Sequence, residues 1–282
     1  MSAVTSVPRS PSIPSNARVW FWRVLQSEWV KLLAVRSTAW VLAVSVVIMV
    51  GFALLMAVGM VAIATSPPGT SGVDGGPDGS TVGLVVATVS YGVGQIVFAV
   101  LGAMRITGEY STGQIRSTLT ACPTRLPVLA AKAIVVAVTS FVTGLIATAL
   151  SVLVTLPILS PHDMTIDLGD PEAQRVLLGV ALYMVAVSLL SLGIGGMLRH
   201  TAGAIAATIG LLLVLPILSQ IPLDFLGDIA PFFPSTAGER ILSFGEGGLD
   251  PVLTPWQGYG VMLLWAFLAL AGAAVLLHRR DA

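Results

Sequence analysis

Six apolar runs punctuate this chain, at about 38–65, 82–104, 128–158, 176–198, 202–221 and 257–277. Each is about as long as the roughly 20 residues that a helix needs to cross a bilayer. A soluble domain of this length would also hold a large core, but it would not divide that core into so many long runs separated by charged clusters. The pattern predicts an all-α membrane protein with six transmembrane helices. The third run is longer than a bilayer requires, so it tilts or projects at one end as far as Pro157. Only Arg199, His200 and Thr201 separate the fourth and fifth runs, which predicts a tight antiparallel hairpin.

The chain before the first run divides in two. Residues 1–16 are rich in Ser and Pro, lack an apolar run and read as a disordered tail. Residues 17–37 read as an amphipathic interfacial helix. Trp22, Leu25, Trp29, Leu32 and Leu33 recur at helical spacing on one face, and Arg23, Ser27 and Lys31 form a polar stripe on another. A basic helix with tryptophans suits the headgroup layer, where an indole buries its ring and keeps its N–H wet. The expectation is a membrane-surface anchor that is also suited to touch a partner. Residues 38–282 then form the six-span domain. The first run begins near Thr38, too far in and too long for a cleavable signal peptide.

Charge orients these spans. Six crossings put both termini on one side. Of the 14 basic residues, only Arg175 and Arg240 fall on the opposite face, so the positive-inside rule makes the arginine-rich face cytoplasmic. The acids partition the other way: only Glu28, Glu109 and Asp281 are internal, which makes Glu28 and Glu109 stand out. Cys122 is the only cysteine, so no disulfide forms within the chain, and His162, His200 and His278 show no metal-ligand spacing. Arginine far outnumbers lysine among abundant Ala, Val and Gly, a bias that suggests a GC-rich bacterial genome. Among the external loops, Ser66–Ser80 is a turn-rich linker, Ser160–Glu172 is short and acidic, and Pro222–Trp256 carries apolar pieces suited either to dip into the outer leaflet or to form a structured surface loop.

The segment Arg105–Arg125 is a compact polar island between two apolar runs. Ser111 and Gln114 fit a capping box, with a short helix running to about Ala121 before Pro123 discourages continuation. Ile115, Leu119 and Cys122 make an apolar stripe beside Arg116 and Thr120, while Glu109 and Tyr110 stand at its start. Topology alone would be satisfied by basic residues anywhere in this loop; the capped helix, the stripe and the lone acid are extra, and they predict a docking element for a soluble partner. Lys132 follows close to a cytoplasmic end, from which it can snorkel. Tyr91, Gln95 and Tyr183 are the larger polar groups within spans, suited to helix–helix hydrogen bonds or to lining a substrate route. Gly92–Gly94, Gly193–Gly195 and the Ser140/Gly144 pair fit close helix approach.

Several classes of chemistry leave no trace. No G-x-x-x-x-G-K-[ST], H-E-x-x-H or G-x-S-x-G motif occurs. No acid lies deep in a predicted span, where proton- or sodium-driven carriers keep ionisable groups.

GEYSTGQIRSTLTACPTR, followed by Ala131–Lys132, resembles the cytoplasmic loop of ABC-2-type permeases, the membrane subunits of ATP-binding-cassette exporters. The matching positions are Glu109, Gly113, Arg116, Leu119, Pro123 and Arg125. SEWVKLLAVRSTAW resembles the family's approach to its first span, through Glu28, Lys31, Arg36 and Ser37. The resemblance implies a multi-pass permease of the bacterial cytoplasmic membrane that forms the substrate pathway. It further implies two copies of a separate ABC ATPase, which would bind ATP and Mg, and a second permease copy or paralogue. Membrane lipids surround such an assembly, and no nucleic acid is involved. The island, with Glu109 and Tyr110 at its entry, would be the coupling helix, and this chain itself would carry no cofactor, metal or enzymatic site. The mostly apolar spans lean toward an amphiphilic substrate. A secondary carrier or channel, or a non-transporting membrane scaffold or immunity protein, are the alternatives; an intramembrane hydrolase would need a nucleophile–base pair or paired acids that the spans lack.

Overall fold

The computed structural model describes residues 21–34, 36–65, 79–114, 125–218, 221, 224–244 and 252–279, among which there is no strand. The 1–16 tail and most of the Ser66–Ser80 linker lie outside the described residues. An N-terminal helix, α1 (Phe21–Ala34), leads into α2 (Arg36–Ala64), the first span. The second span is α3 (Gly79–Thr88) and α4 (Tyr91–Ser111), divided by a turn at Val89 and Ser90 where Gly92 N–H bonds back to Val89 O. Ser and Gly at such a point weaken the regular helix ladder and permit a kink. The third span is α5 (Arg125–Leu159), the fourth α6 (Pro171–Leu198), the fifth α7 (Thr201–Leu218) and the sixth α10 (Pro255–Arg279). Between α7 and α10 lie two short helices, α8 (Asp224–Ile229) and α9 (Pro234–Glu239). Six helices are thus long and apolar enough to cross a membrane.

α6 is the hub. Its most apolar stretch is 72% buried, against 22% for α2 and 17% for α7, so the outer spans face lipid or another chain and α6 faces protein. It packs chiefly on α4, α5 and α10. Lipid tails are as apolar as leucine, so close backbone approach and hydrogen bonds hold such helices together. Both are present. Ser188 and Ser140 join their hydroxyls at 2.8 Å between α6 and α5; Ser191 donates to the Ala99 carbonyl of α4 and receives Thr208 of α7 at 3.3 Å. Of the anticipated small-residue contacts, a Cβ on Gly193 would sit 2.5 Å from the Ala269 carbonyl carbon, one on Gly144 would sit 3.0 Å from Ala181 Cα and one on Gly94 would press on Met49, whereas one on Gly92 would meet nothing within 4 Å.

The α6–α7 hairpin turns within two residues. Arg199 closes α6 in the left-handed region (φ 56°), and His200 Nδ1 accepts the Gly203 N–H to cap α7. In α7 a π-helical stretch, Gly210–Val214, precedes Pro216. The ring of Pro216 would clash with the carbonyl four residues back, and a wider turn relieves that clash.

Residues 224–244, between α7 and α10, fold inward. Trp265 lies ten residues beyond the start of α10, about 15 Å along the axis at 1.5 Å per residue. Its indole N–H donates to the Phe232 carbonyl at 3.0 Å. Gly238 packs against the Tyr183 ring and Met262, and Ile241 is fully buried. This segment therefore returns to a depth well below the ends of its flanking helices. Arg175, one of only two basic residues on this face, clamps it by donating to the Ile241 and Ser243 carbonyls at 2.9 and 2.7 Å. That structural duty accounts for a cation on the wrong side of the charge pattern.

Gly193→Ala should destabilise the protein by about 1–3 kcal/mol, because its methyl meets backbone that cannot step aside. Gly92→Ala, whose Cβ would meet nothing within 4 Å, should be neutral or mildly stabilising. Thermal unfolding in detergent separates the two.

Candidate coupling site

At the end of the molecule where α1, α4 and α5 meet, four charged side chains close a ring. Lys132 Nζ lies 2.7 Å from Glu28 Oε2 and 2.9 Å from Glu109 Oε1; Lys31 Nζ lies 2.7 Å from Glu28 Oε1 and 3.1 Å from Glu109 Oε1. Each lysine touches both acids and each acid touches both lysines. Glu28 is 0% exposed, Lys132 2% and Glu109 7%, while the Lys31 side chain, at 34%, faces outward.

The local sequence explains the placement. In α1, Val24, Glu28 and Leu32 follow a spacing of four and form the stripe that packs against α5, with Val24 seated on Val128 and Ala131. Glu109 lies two residues from the end of α4, where the helix dipole is unfavourable to an acid, so it requires cations close by. Lys132, one turn beyond Val128 on α5, supplies one. Burial pushes the Glu28 carboxyl up, but the Lys132 charge and the hydrogen bonds from Lys132 and Lys31 outweigh it and hold the group below its ordinary value of 4.5. Burial pushes Lys31 down, and its contacts with Glu28 and Glu109 outweigh that in turn, leaving it above 10.5.

Two further contacts tie the last turns of α4 to the α6–α7 hairpin. The Arg199 guanidinium stands 5.0 Å from the centre of the Tyr110 ring, and Thr201 and Thr107 join hydroxyls at 2.9 Å. The end of α4 therefore contacts α1, α5, α6 and α7, and residues 115–124 leave directly from it. Those residues lie outside the described part of the structure, and with them Arg116, Leu119 and Pro123; of Arg125 only the backbone, opening α5, is described.

Several expectations change at this point. Ser111 does not open a new helix: it is the last residue of α4, and its hydroxyl donates to the Gly108 carbonyl at 3.0 Å. Thr112 caps that helix, and Gly113 follows at φ +71°, a conformation that favours glycine, with open space where a side chain would stand. Gly113 is thus explained by its backbone. Lys132 does not snorkel, because its ammonium group is spent in the ring. The packed face of α1 is the Val24–Glu28–Leu32 stripe rather than the tryptophan stripe: Trp29 is half-buried and Trp22 is 58% exposed. Tyr183 is fully buried and donates to Gln95 Oε1 at 2.8 Å, with Tyr91 edge-on at 5.6 Å, so the three form an interhelical contact.

Sequence reasoning missed Glu239. Counted as an external acid, it is carried inward on α9 and accepts a hydrogen bond from Tyr91. Burial raises its carboxyl to about 6, against the lowering effect of Tyr91. An acid raised in the folded state is easier to bury when protonated, so the packing of α9 should tighten as pH falls through about 6 toward 4.5. The one signal in the sequence is the capacity of the Pro222–Trp256 loop to dip inward.

A family model described as ABC-2 family transporter protein matches residues 24–219. The chain belongs to that family. The match begins inside α1, at Val24, four residues before Glu28, and contains every member of the ring. A comparison with curated proteins found no match.

Lys132→Met should leave two buried carboxylates facing one lysine and cost about 3–5 kcal/mol. Glu28→Met combined with Lys132→Met restores neutrality and should recover most of that loss. A double-mutant cycle on thermal unfolding measures it. The contribution of Glu28 is present above pH 4.5 and fades as pH falls below it; that of Lys31 is present below pH 10.5 and fades above it. Limited proteolysis of α1 across pH should therefore show release at both extremes and protection between them.

Proposed function

We propose that the chain is the permease subunit of an ABC exporter in a bacterial cytoplasmic membrane. Its termini and the Arg105–Arg125 segment face the cytoplasm, and its spans form the substrate pathway together with a second copy or a paralogue. Two copies of a separate ATPase supply the energy and hold the ATP and Mg; this chain performs no catalysis. The observation that carries the reading is the ionic ring. It joins the last turn of α4 and the first turns of α5 to α1, so the segment between α4 and α5 is held at both ends by one buried electrostatic unit. A force on that segment moves α1 and two spans together.

The roles follow from position. Arg116, Leu119, Pro123 and Arg125 belong to the segment that meets the ATPase. Glu109, Glu28, Lys31 and Lys132 pass displacement to the spans, and Tyr110 with Arg199 passes it to the α6–α7 hairpin. Trp22 and Trp29 seat the outer face of α1 at the headgroup layer. Nucleotide must favour one arrangement of these helices over another for transport to occur. The neutral ring suits such a unit because it can shift as a body without exposing an unpaired charge.

Cys122, the only cysteine, reports on the segment without engineering. A membrane-impermeant maleimide should label it in inside-out vesicles and not in right-side-out ones. Co-assembly with the ATPase should slow that labelling. Labelling from the outside would reverse the topology and remove the coupling role.

A further inference from the structure

Beside the ring lies a half-open cleft of about 370 Å³ between the start of α2 and the end of α4. Its floor is apolar, formed by Val41, Leu101 and Met104, and its rim carries Arg105, Lys31 and Glu109. Arg105 is the unusual member. It stands one turn before Glu109 on α4, within electrostatic reach of both Glu28 and Glu109. It nevertheless makes no hydrogen bond or ion pair among the described residues, and its Nε is buried without a partner. The charges explain why. The charges of Glu28 and Glu109 are balanced by Lys31 and Lys132, so the ring is neutral and Arg105 is a surplus cation, while Glu109 Oε2 is left buried without a hydrogen-bond partner. A half-buried guanidinium with an unmet donor requires an acceptor.

We propose that this cleft binds the phosphate headgroup of an anionic membrane lipid, with Arg105 as its main contact and Lys31 at its edge. The lipid chain follows Val41, Leu101 and Met104 toward the bilayer. A planar guanidinium matches a phosphate through two parallel hydrogen bonds, which a choline headgroup's compensating positive charge would oppose. The cleft joins a cationic rim to an apolar floor at the end of two spans, where a lipid presents both parts at once. Met104, 45% exposed, forms part of the side open to the membrane. A lipid held here fills the space next to Glu109 and pins α2 against α4, so occupancy bears on how the end of α4 moves. The proposal needs the membrane-spanning fold and does not need the ATPase.

The test uses the purified full chain without any ATPase. Native mass spectrometry would compare retention of phosphatidylglycerol, phosphatidylcholine of matched chains and inorganic phosphate. Phosphatidylglycerol should be retained preferentially. Arg105→Gln should reduce that retention about tenfold, the worth of one charge-assisted hydrogen bond, and Arg105→Lys should retain part of it. Met104→Trp, which fills the cleft and leaves Arg105 intact, should also displace the lipid without lowering thermal stability. Equal retention of the two lipids, or retention unaffected by Arg105→Gln and Met104→Trp, overturns the proposal. Competition by millimolar inorganic phosphate as effective as that by the lipid overturns the lipid as occupant and makes the cleft a free-anion site. None of these outcomes touches the ATPase reading, which the Cys122 experiment decides separately.

Discussion

The largely buried ring of Glu28, Lys31, Glu109 and Lys132 is the contact on which the end of the molecule formed by α1, α4 and α5 depends. Taking four charges out of water is expensive, and mutual attraction offsets that cost only when geometry is good and no partner is missing. Here each charge has two opposite neighbours between 2.7 and 3.1 Å, and the one ring atom left without a hydrogen-bond partner is the buried Glu109 Oε2. The ring is therefore tolerant of movement as a unit and intolerant of losing a member. That combination suits a joint more than a foundation, since well-packed apolar residues could hold three helices together at less electrostatic cost.

The rest of the fold supports the joint. α6 is pinned by serine hydroxyls and by glycine contacts with almost no slack, so it provides a fixed frame. α2 and α7 are much less buried and are free to take up lipid or a second chain. The α7–α10 connection returns into the molecule and is held by Arg175 and Trp265, which closes the far end. Displacement introduced at the α4–α5 connection thus meets a rigid centre and a tethered opposite end. The compliant parts are the peripheral spans and the kink at Ser90, where α3 and α4 are already separate helices.

Much of this was legible along the chain. Apolar run length is a one-dimensional property, and it located six spans because a bilayer imposes the same length on each. Glu28 and Glu109 were conspicuous as rare acids on a basic face. What linear reading could not supply was pairing: Glu28 and Lys132 are 104 positions apart, and nothing in their neighbours says that they touch. Lys132 reads as a snorkelling residue because a lysine near a span end usually reaches for water. Likewise, helical spacing groups Leu32 with the tryptophans of α1 and not with Val24 and Glu28, since a charged residue seldom marks a packed face. Ser111 fits a capping box by residue type, yet α4 runs about two turns past the apolar run and absorbs it. Glu239 was invisible because its burial depends on a connection that folds inward. The family match over residues 24–219 covers the ring and the first five spans.

The central claim is that the ring transmits movement, and transport per ATP in reconstituted vesicles tests it most directly. With Glu109→Gln beside the wild type, each assembled with the ATPase, the ring should fail while residues 115–124 still dock. The ATPase should then remain bound and hydrolyse ATP, and transport per ATP should fall severalfold or more. Unchanged transport per ATP, with the ring demonstrably broken by protease release of α1, would contradict the claim.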